Sequence, residues 1–302
     1  MNFIKINLCL NNKLINWVIF IVLSVIWGSS FILMKEGLQH LTAYQVASLR
    51  IISSGIVLLP LAYKSFRQIP KAKLLYTFLS GTLGSLLPAY LFCIAEERLD
   101  SALAGVLNSL TPIFVILVGA LFFKAAASAN KVMGILIAFT GSIFLFLSQE
   151  NFSTNSHGID VLLIVIATIM YGININIVRR HLHEIPSIQI ASLALSLNAI
   201  PAVIVLYYTG YFQYNLLEQG ILFSTGYSFI LGVCGTAIAS VIFYMLIKRA
   251  GTIFSSMVTY AIPIVAIGWG IIYGEKIGWK EIASLAVILT GVWFANRTKN
   301  MV

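Results

Sequence analysis

Arg50 is the only Asp, Glu, Lys or Arg in residues 37–63 of a 302-residue chain whose composition is 59% hydrophobic and 10% charged. A guanidinium presents a planar fork of donors that matches a carboxylate or a phosphate. Trp27, Phe31 and Tyr171 fall in other uncharged stretches, where their rings would make a wall for an organic molecule. Asn174 and Asn176 offer amides, so the combination suits capture of a small polar solute. Pro112 and Pro263 each delete a backbone donor and free a carbonyl, which makes them candidate hinges or a cavity floor, the alternative being curvature for packing alone. The parts of common enzymes are missing. There is no P-loop, no H-E-x-x-H and no nucleophile elbow, and no acid stands in the middle of an uncharged stretch to relay protons. Cys9, Cys93 and Cys234 have no pair spacing, and His181 and His183 sit in a basic segment that reads as a solvated loop, so neither a metal nor any other cofactor is expected.

The elements that must position these groups follow from where charge is absent. Runs without Asp, Glu, Lys or Arg cover 14–34, 74–95, 101–123, 132–149, 161–178, 185–217, 219–247 and 250–274. Each is long enough to cross a hydrocarbon layer of about 30 Å as a helix. Two weaker stretches, 37–63 and 282–296, bring the expected number to ten, and a mean hydropathy of +0.95 makes lipid the solvent. The first run exceeds the apolar core of a signal peptide and is followed by no A-x-A site, so it counts as a span. The fold class is therefore all-α, a polytopic membrane protein with the bilayer as its partner.

With the N-terminus cytoplasmic, fourteen Lys and Arg fall on the inner side and four, Lys35, Arg98, Lys276 and Lys280, on the outer side. Both termini are accordingly expected inside. The net charge of +9 belongs to these short loops and to lipid headgroups; no basic patch with interleaved aromatics points to nucleic acid.

The chain also repeats itself. QVASLR at 45–50 returns as QIASLA at 189–194, and at the same spacing Trp27-Gly28 falls on Tyr171-Gly172. Further along, Gly81 falls on Gly232, Gly84 on Gly235, Pro112 on Pro263 and Thr140-Gly141 on Thr290-Gly291. Residues 1–150 and 151–302 thus read as two five-helix copies. Five is odd, so the second copy enters the membrane from the opposite side, the layout many carriers use to build a site between halves.

VIWGSSFILMKEGLQHLTAYQVASLRIISSGIVLLPL at 25–61 resembles the opening of EamA-type members of the drug/metabolite transporter superfamily. So do RLDSALAGVLNSLTPIFVILVGALFF at 98–123, its copy at 249–282 and LTGVWFA at 289–295. The resemblance implies ten helices in two inverted repeats, a central cavity lined by helices 1, 3, 4, 6, 8 and 9, and helices 5 and 10 at the periphery; Tyr90, Asn108, Tyr244 and Tyr260, on helices that it would place at the cavity, are further binding candidates. It leaves the substrate open. The chain departs from the pattern in carrying Lys124 in the first copy where the second has Glu275.

Arg50 lies about six residues into its span, some 9 Å from the outer end at 1.5 Å per residue. A lipid-facing charge there costs at least about 2.5–3.5 kcal/mol, so it has to face protein or water. Two roles stay open: capture of a carboxylate or phosphate, or pairing with Glu36, Glu96 or Asp100 in a gate or for packing. Asn174 and Asn176 are two apart and cannot share a helix face, so at most one lines a cavity while the other bonds between helices. Ser101, Gly105 and Ser109, and Gly134, Ala138 and Ser142, form small-residue ridges for internal packing or a dimer.

These observations lead to an expectation of a carrier in the bacterial inner membrane, acting without catalysis on a small-molecule substrate. An amino acid or related zwitterion, moved by alternating access with export favoured over uptake, heads the list. Import or exchange of an anionic or nucleoside-containing metabolite comes next, and a non-transporting scaffold last. A monomer suffices for this reading, and a dimer is compatible with it.

Overall fold

A backbone in hydrocarbon has to satisfy its own hydrogen bonds, and the uncharged runs do so as helices. The computed structural model describes residues 2–99, 101–148, 158–272 and 278–296. Among them the order is α1 (Asn2–Gly37), α2 (Ala43–Gln68), α3 (Lys71–Glu96), α4 in two segments (Ser101–Asn108 and Thr111–Phe123) and α5 (Ala129–Leu147). Then come α6 (Gly158–His181), α7 (Ser187–Tyr208), α8 (Gln219–Ala250), α9 in two segments (Thr252–Ser256 and Val258–Ile272) and α10 (Trp279–Asn296). Seven of the helices are long and apolar enough to cross a membrane, and α5, α9 and α10 contribute shorter apolar helices. No strand occurs among the described residues.

The directions of the helices follow from which termini meet. At one end Arg249 donates to Asn16 Oδ1 at 3.1 Å, Gln189 to Gln68 at 2.6 Å, and Lys248 to the Ile185 carbonyl, while the His181 ring stacks on Tyr76 at 4.1 Å. Lys13, Lys131 and Arg179 share a groove there. This basic end holds the start of α1 and the finish of α6. At the opposite end Glu97 accepts from the Ala43 amide at 2.9 Å and Ser224 donates to the Glu36 carbonyl at 3.1 Å. α1 and α6, the first helix of each half, therefore run in opposite senses. His181 is the last residue of α6 and half-buried against Tyr76, which corrects the expectation of a solvated loop; a planar ring at a helix end covers apolar surface by stacking.

The twin phrases at 45 and 189 explain themselves in the α2–α7 pair. α2 is capped by Thr42, whose hydroxyl accepts from the Gln45 amide while Gln45 Oε1 accepts from the Thr42 amide, a reciprocal capping box. The other end of the Gln45 side chain donates to the Thr209 carbonyl beyond the C-terminus of α7 at 3.1 Å. Gln189, at the start of α7, donates to Gln68 at the end of α2. The helices are antiparallel, pinned at both ends by equivalent glutamines.

Glycines repeat the same logic. A Cβ on Gly28 would meet Val265 of α9, and one on Gly172 would meet Phe114 of α4, the corresponding residue of the other half. Gly81 lies against the carbonyl of Ala194, and Gly232 against that of Arg50. Gly141 and Gly291 bring α5 and α10 together at the periphery, and Gly134 of the small-residue ridge packs on Ala295 in that same seam. Gly105, by contrast, has open space around it.

Two irregularities also come in pairs. α3 widens to a π-helical turn at Thr82–Leu86, and α8 does so at Leu231–Ile238. α4 breaks after Asn108, placing Pro112 in the first turn of its second segment, where a missing N–H costs nothing. α9 breaks at Met257, and Pro263 stands inside the segment that follows. The paired prolines thus do not sit at equivalent points of their helices. α8 and α9 meet across a single residue, Gly251, at φ +87°, a conformation that favours glycine.

Candidate functional site

Both halves open onto one central cavity of about 880 Å³, counting the space that communicates with solvent. α1 contributes Trp27, Ser30, Phe31 and Met34, and α3 contributes Gly84, Ser85 and Phe92. Asn108 and Thr111 flank the break in α4. From the second half come Tyr171, Asn174 and Ile175 of α6, then Gly235, Thr236, Ser240, Phe243 and Tyr244 of α8, with Ser256, Thr259 and Ile262 of α9. α2 adds Arg50.

Arg50 reaches the cavity because Gly232 lets α2 and α8 approach until the Arg50 carbonyl packs where a Cβ would be. Its Nε donates to Thr236 Oγ1 at 2.7 Å, which fixes the plane of the guanidinium. No carboxylate of the described residues pairs with it, and Asp100, one of the partners considered, lies outside them. A cation inside a bundle, oriented by one hydrogen bond, leaves its terminal nitrogens available to an acceptor in the cavity.

The π-helical turns supply more than room. A π turn leaves carbonyls out of the i−4 ladder. The Gly235 carbonyl accepts from Trp27 Nε1 at 3.0 Å, bonding α1 to α8 across the two halves. Trp27 also meets Phe243 edge-on at 5.0 Å, and Phe92 stacks near Tyr171 at 6.1 Å, so aromatic faces from both halves bound the space. The Ser80 hydroxyl bridges Asn174 Oδ1 at 2.7 Å and the Tyr244 hydroxyl at 3.1 Å. Asn108 accepts from the Thr111 hydroxyl at 3.3 Å across the break in α4.

Of the side chains named from sequence for binding, Trp27, Phe31, Arg50, Asn108, Tyr171, Asn174 and Tyr244 come together here. Two do not, and helix geometry is the reason. Ser85 and Phe92 are seven apart and share the inward face of α3, while Tyr90 points aside, its hydroxyl 2.8 Å from Ser48. Thr259 and Ile262 take the inward face of α9, so Tyr260 between them turns outward and donates to the Ile135 carbonyl at 3.0 Å. Asn176 bonds the Val115 and Gly172 carbonyls at 3.0 and 2.8 Å and serves helix contact. Pro112 and Pro263 are buried next to Thr111 and Ile262, which line the cavity in their place. Glu275 lies outside the described residues.

Sequence reasoning missed the hydroxyls Ser30, Ser85, Thr236, Ser240, Ser256 and Thr259. Their signal was spacing: Ser30 is three residues from Trp27, and Ser240 four from both Thr236 and Tyr244. It also missed Asp160, buried in the first turn of α6 at 3% exposure, where the amide ends of the helix favour an anion.

Comparison with known proteins places this geometry in context. The sequence profile described as the EamA-like transporter family matches twice, over residues 15–147 and 158–297. An uncharacterized transporter of Archaeoglobus fulgidus is 25% identical over 295 residues, covering 94% of this chain and 99% of that one. A protein of Salmonella typhimurium named "Probable amino-acid metabolite efflux pump" is 27% identical over 128 residues, 42% of this chain and 41% of its own. A solved crystal structure superposes with a TM-score of 0.71 at 15% identity, covering 92% of this chain and 95% of the other, so the fold is shared.

Proposed function

The chain belongs to the EamA-like transporter family, and from that premise we propose that it is a secondary carrier of a small organic solute with a carboxylate, an amino acid or related zwitterion. The observation that carries this reading is Arg50. It stands in a cavity built by both halves, held by Thr236 and facing no carboxylate of the described residues. A solute carboxylate would complete the guanidinium fork, the amides of Asn108 and Asn174 would meet its polar groups, and Trp27, Phe31 and Tyr171 would cover its apolar part.

The two halves, 1–150 and 151–302, then act as inverted repeats that exchange nearly equivalent packings, exposing the cavity to one side at a time. A single chain supplies every wall, so a monomer suffices. The basic end is assigned to the cytoplasm with both termini, by the excess of Lys and Arg there. Export is favoured over uptake; the name of the Salmonella relative supports that direction. A second reading, import or exchange of an anionic or nucleoside-containing metabolite, draws on the Phe92–Tyr171 stack, which a planar base could extend.

Uptake and efflux assays on the purified chain in liposomes, with labelled amino acids, nucleosides and organic anions, test the proposal. Saturable movement of amino acids is the expected result. Movement of nucleosides alone selects the second reading, and failure of every class in both directions refutes both.

A further inference from the structure

A second concavity lies at the basic end, between α1, α9 and α10, with about 1700 Å³ of space that is open to its surroundings. Its chemistry changes along its length. The rim carries Lys13, Lys131 and Arg179, and no lining residue is acidic. Lys13 and Arg179 are exposed and Lys131 is half-buried; Arg179 spends one donor on the Lys248 carbonyl at 3.4 Å. Below the rim Trp17, Phe20 and Phe254 form a three-ring cluster with centroids 5.3–5.4 Å apart. The floor continues as Ile264, Ile288 and Leu289, within helices apolar enough to lie in the bilayer.

A cationic rim leading into an aromatic collar and then an aliphatic floor is complementary to an amphiphile with an anionic head. We infer that this groove binds one anionic glycerophospholipid, its phosphodiester at Lys13, Lys131 and Arg179 and an acyl chain along α9 and α10. The charge complementarity selects the headgroup, since cationic pockets between helices at a membrane surface concentrate anionic lipid. The apolar length selects a lipid over a soluble phosphate, which could use only the rim. α9 carries the consequence: Thr259 and Ile262 face the central cavity while Tyr260 and Ile264 face the groove, so a bound chain presses on the outer side of a cavity wall. The inference stands whether or not the carried solute is an amino acid.

The test is native mass spectrometry of the full chain in detergent, titrated with phosphatidylglycerol and phosphatidylcholine of the same acyl chains. The unaltered protein should prefer phosphatidylglycerol by about tenfold or more, three cations acting together. Lys13→Gln with Lys131→Gln and Arg179→Gln should reduce the preference to within about twofold of none, while Lys64→Gln with Lys71→Gln, exposed lysines of the same end outside the groove, should keep it. Leu289→Trp, which fills the floor and leaves every cation in place, should also abolish the preference and covers the case in which the triple variant does not fold. The inference is overturned by equal binding of the two lipids to the native chain, by an unchanged preference in either groove variant, or by glycerol 3-phosphate displacing the lipid at equal concentration.

Discussion

Gly81 against Ala194 and Gly232 against Arg50 are one contact made twice, each time between residues 1–150 and 151–302, yet only the second is joined to a cation. Packing features come in pairs, and the charged chemistry does not. Helix approach through glycine, the π-helical turns and the glutamine pins each occur twice, and the matched glycines Gly141 and Gly291 meet in the single α5–α10 seam. Ala194, in contrast, is fully buried and has no side-chain polar group, and the bonds at that contact are neutral ones, Thr82 donating to Asn198 Oδ1 at 2.8 Å and Asn198 Nδ2 to the Phe78 carbonyl at 3.2 Å. Under the proposed carrier function, selection of a solute would rest on what breaks the symmetry, and movement between states on what keeps it.

Substitutions can break this comparison, beginning with the scaffold. Gly81→Leu and Gly232→Leu should each destabilise by about 3 kcal/mol or more, because the new side chain meets a neighbouring backbone carbonyl, whereas Gly105→Ala should stay within about 0.5 kcal/mol. Thermal melting in detergent reads all three. A large effect at Gly232 with none at Gly81 would end the claim that the halves pack equivalently.

The chemical side predicts a different signature. Arg50→Ala should lower affinity for carboxylate solutes by about 10- to 100-fold, as expected for a hydrogen bond to a charged group worth about 1.5–3 kcal/mol, with little change in melting. Loss of folded protein instead would move Arg50 to the scaffold. Asn176→Ala and Asn174→Ala should separate in the same way. The first removes two bonds to helix carbonyls and should cost about 1 kcal/mol of stability, and the second should weaken solute binding several-fold with melting less affected. Trp27→Phe keeps an aromatic face but loses the indole N–H and its bond to Gly235, and that bond alone should account for about 0.6 kcal/mol in a melting curve.

Much of the architecture was readable before any coordinates, because a charge in lipid is costly enough that its absence marks a span. The uncharged runs correspond to α1–α10, and Arg50 stood out by the same rule. Trp27, Tyr171 and Asn174 were readable as candidates because each sets a polar group or a large ring in the middle of an apolar span. Direction within a helix was not: Tyr90 and Tyr260 are the same residue type as Tyr244, and only the rotation of α3 and α9 turns them away. Hydroxyls such as Thr236 and Ser240 escaped notice because a serine or threonine in a span commonly bonds its own helix, as Ser24 and Ser30 do here. The π-helical turns left no residue code beyond the matched glycines at 81, 84, 232 and 235, whose equivalence was visible but whose shape was not.

Gly251 joins α8 to α9 through a single residue at φ +87°, so the end of one helix is tethered to the start of the next. Thr236 and Tyr244 line the cavity from α8, and Thr259 and Ile262 line it from α9 beyond the break at Met257. Under the proposed carrier function, a ligand wedged against either helix should hinder both, which offers an inhibitor two places to act.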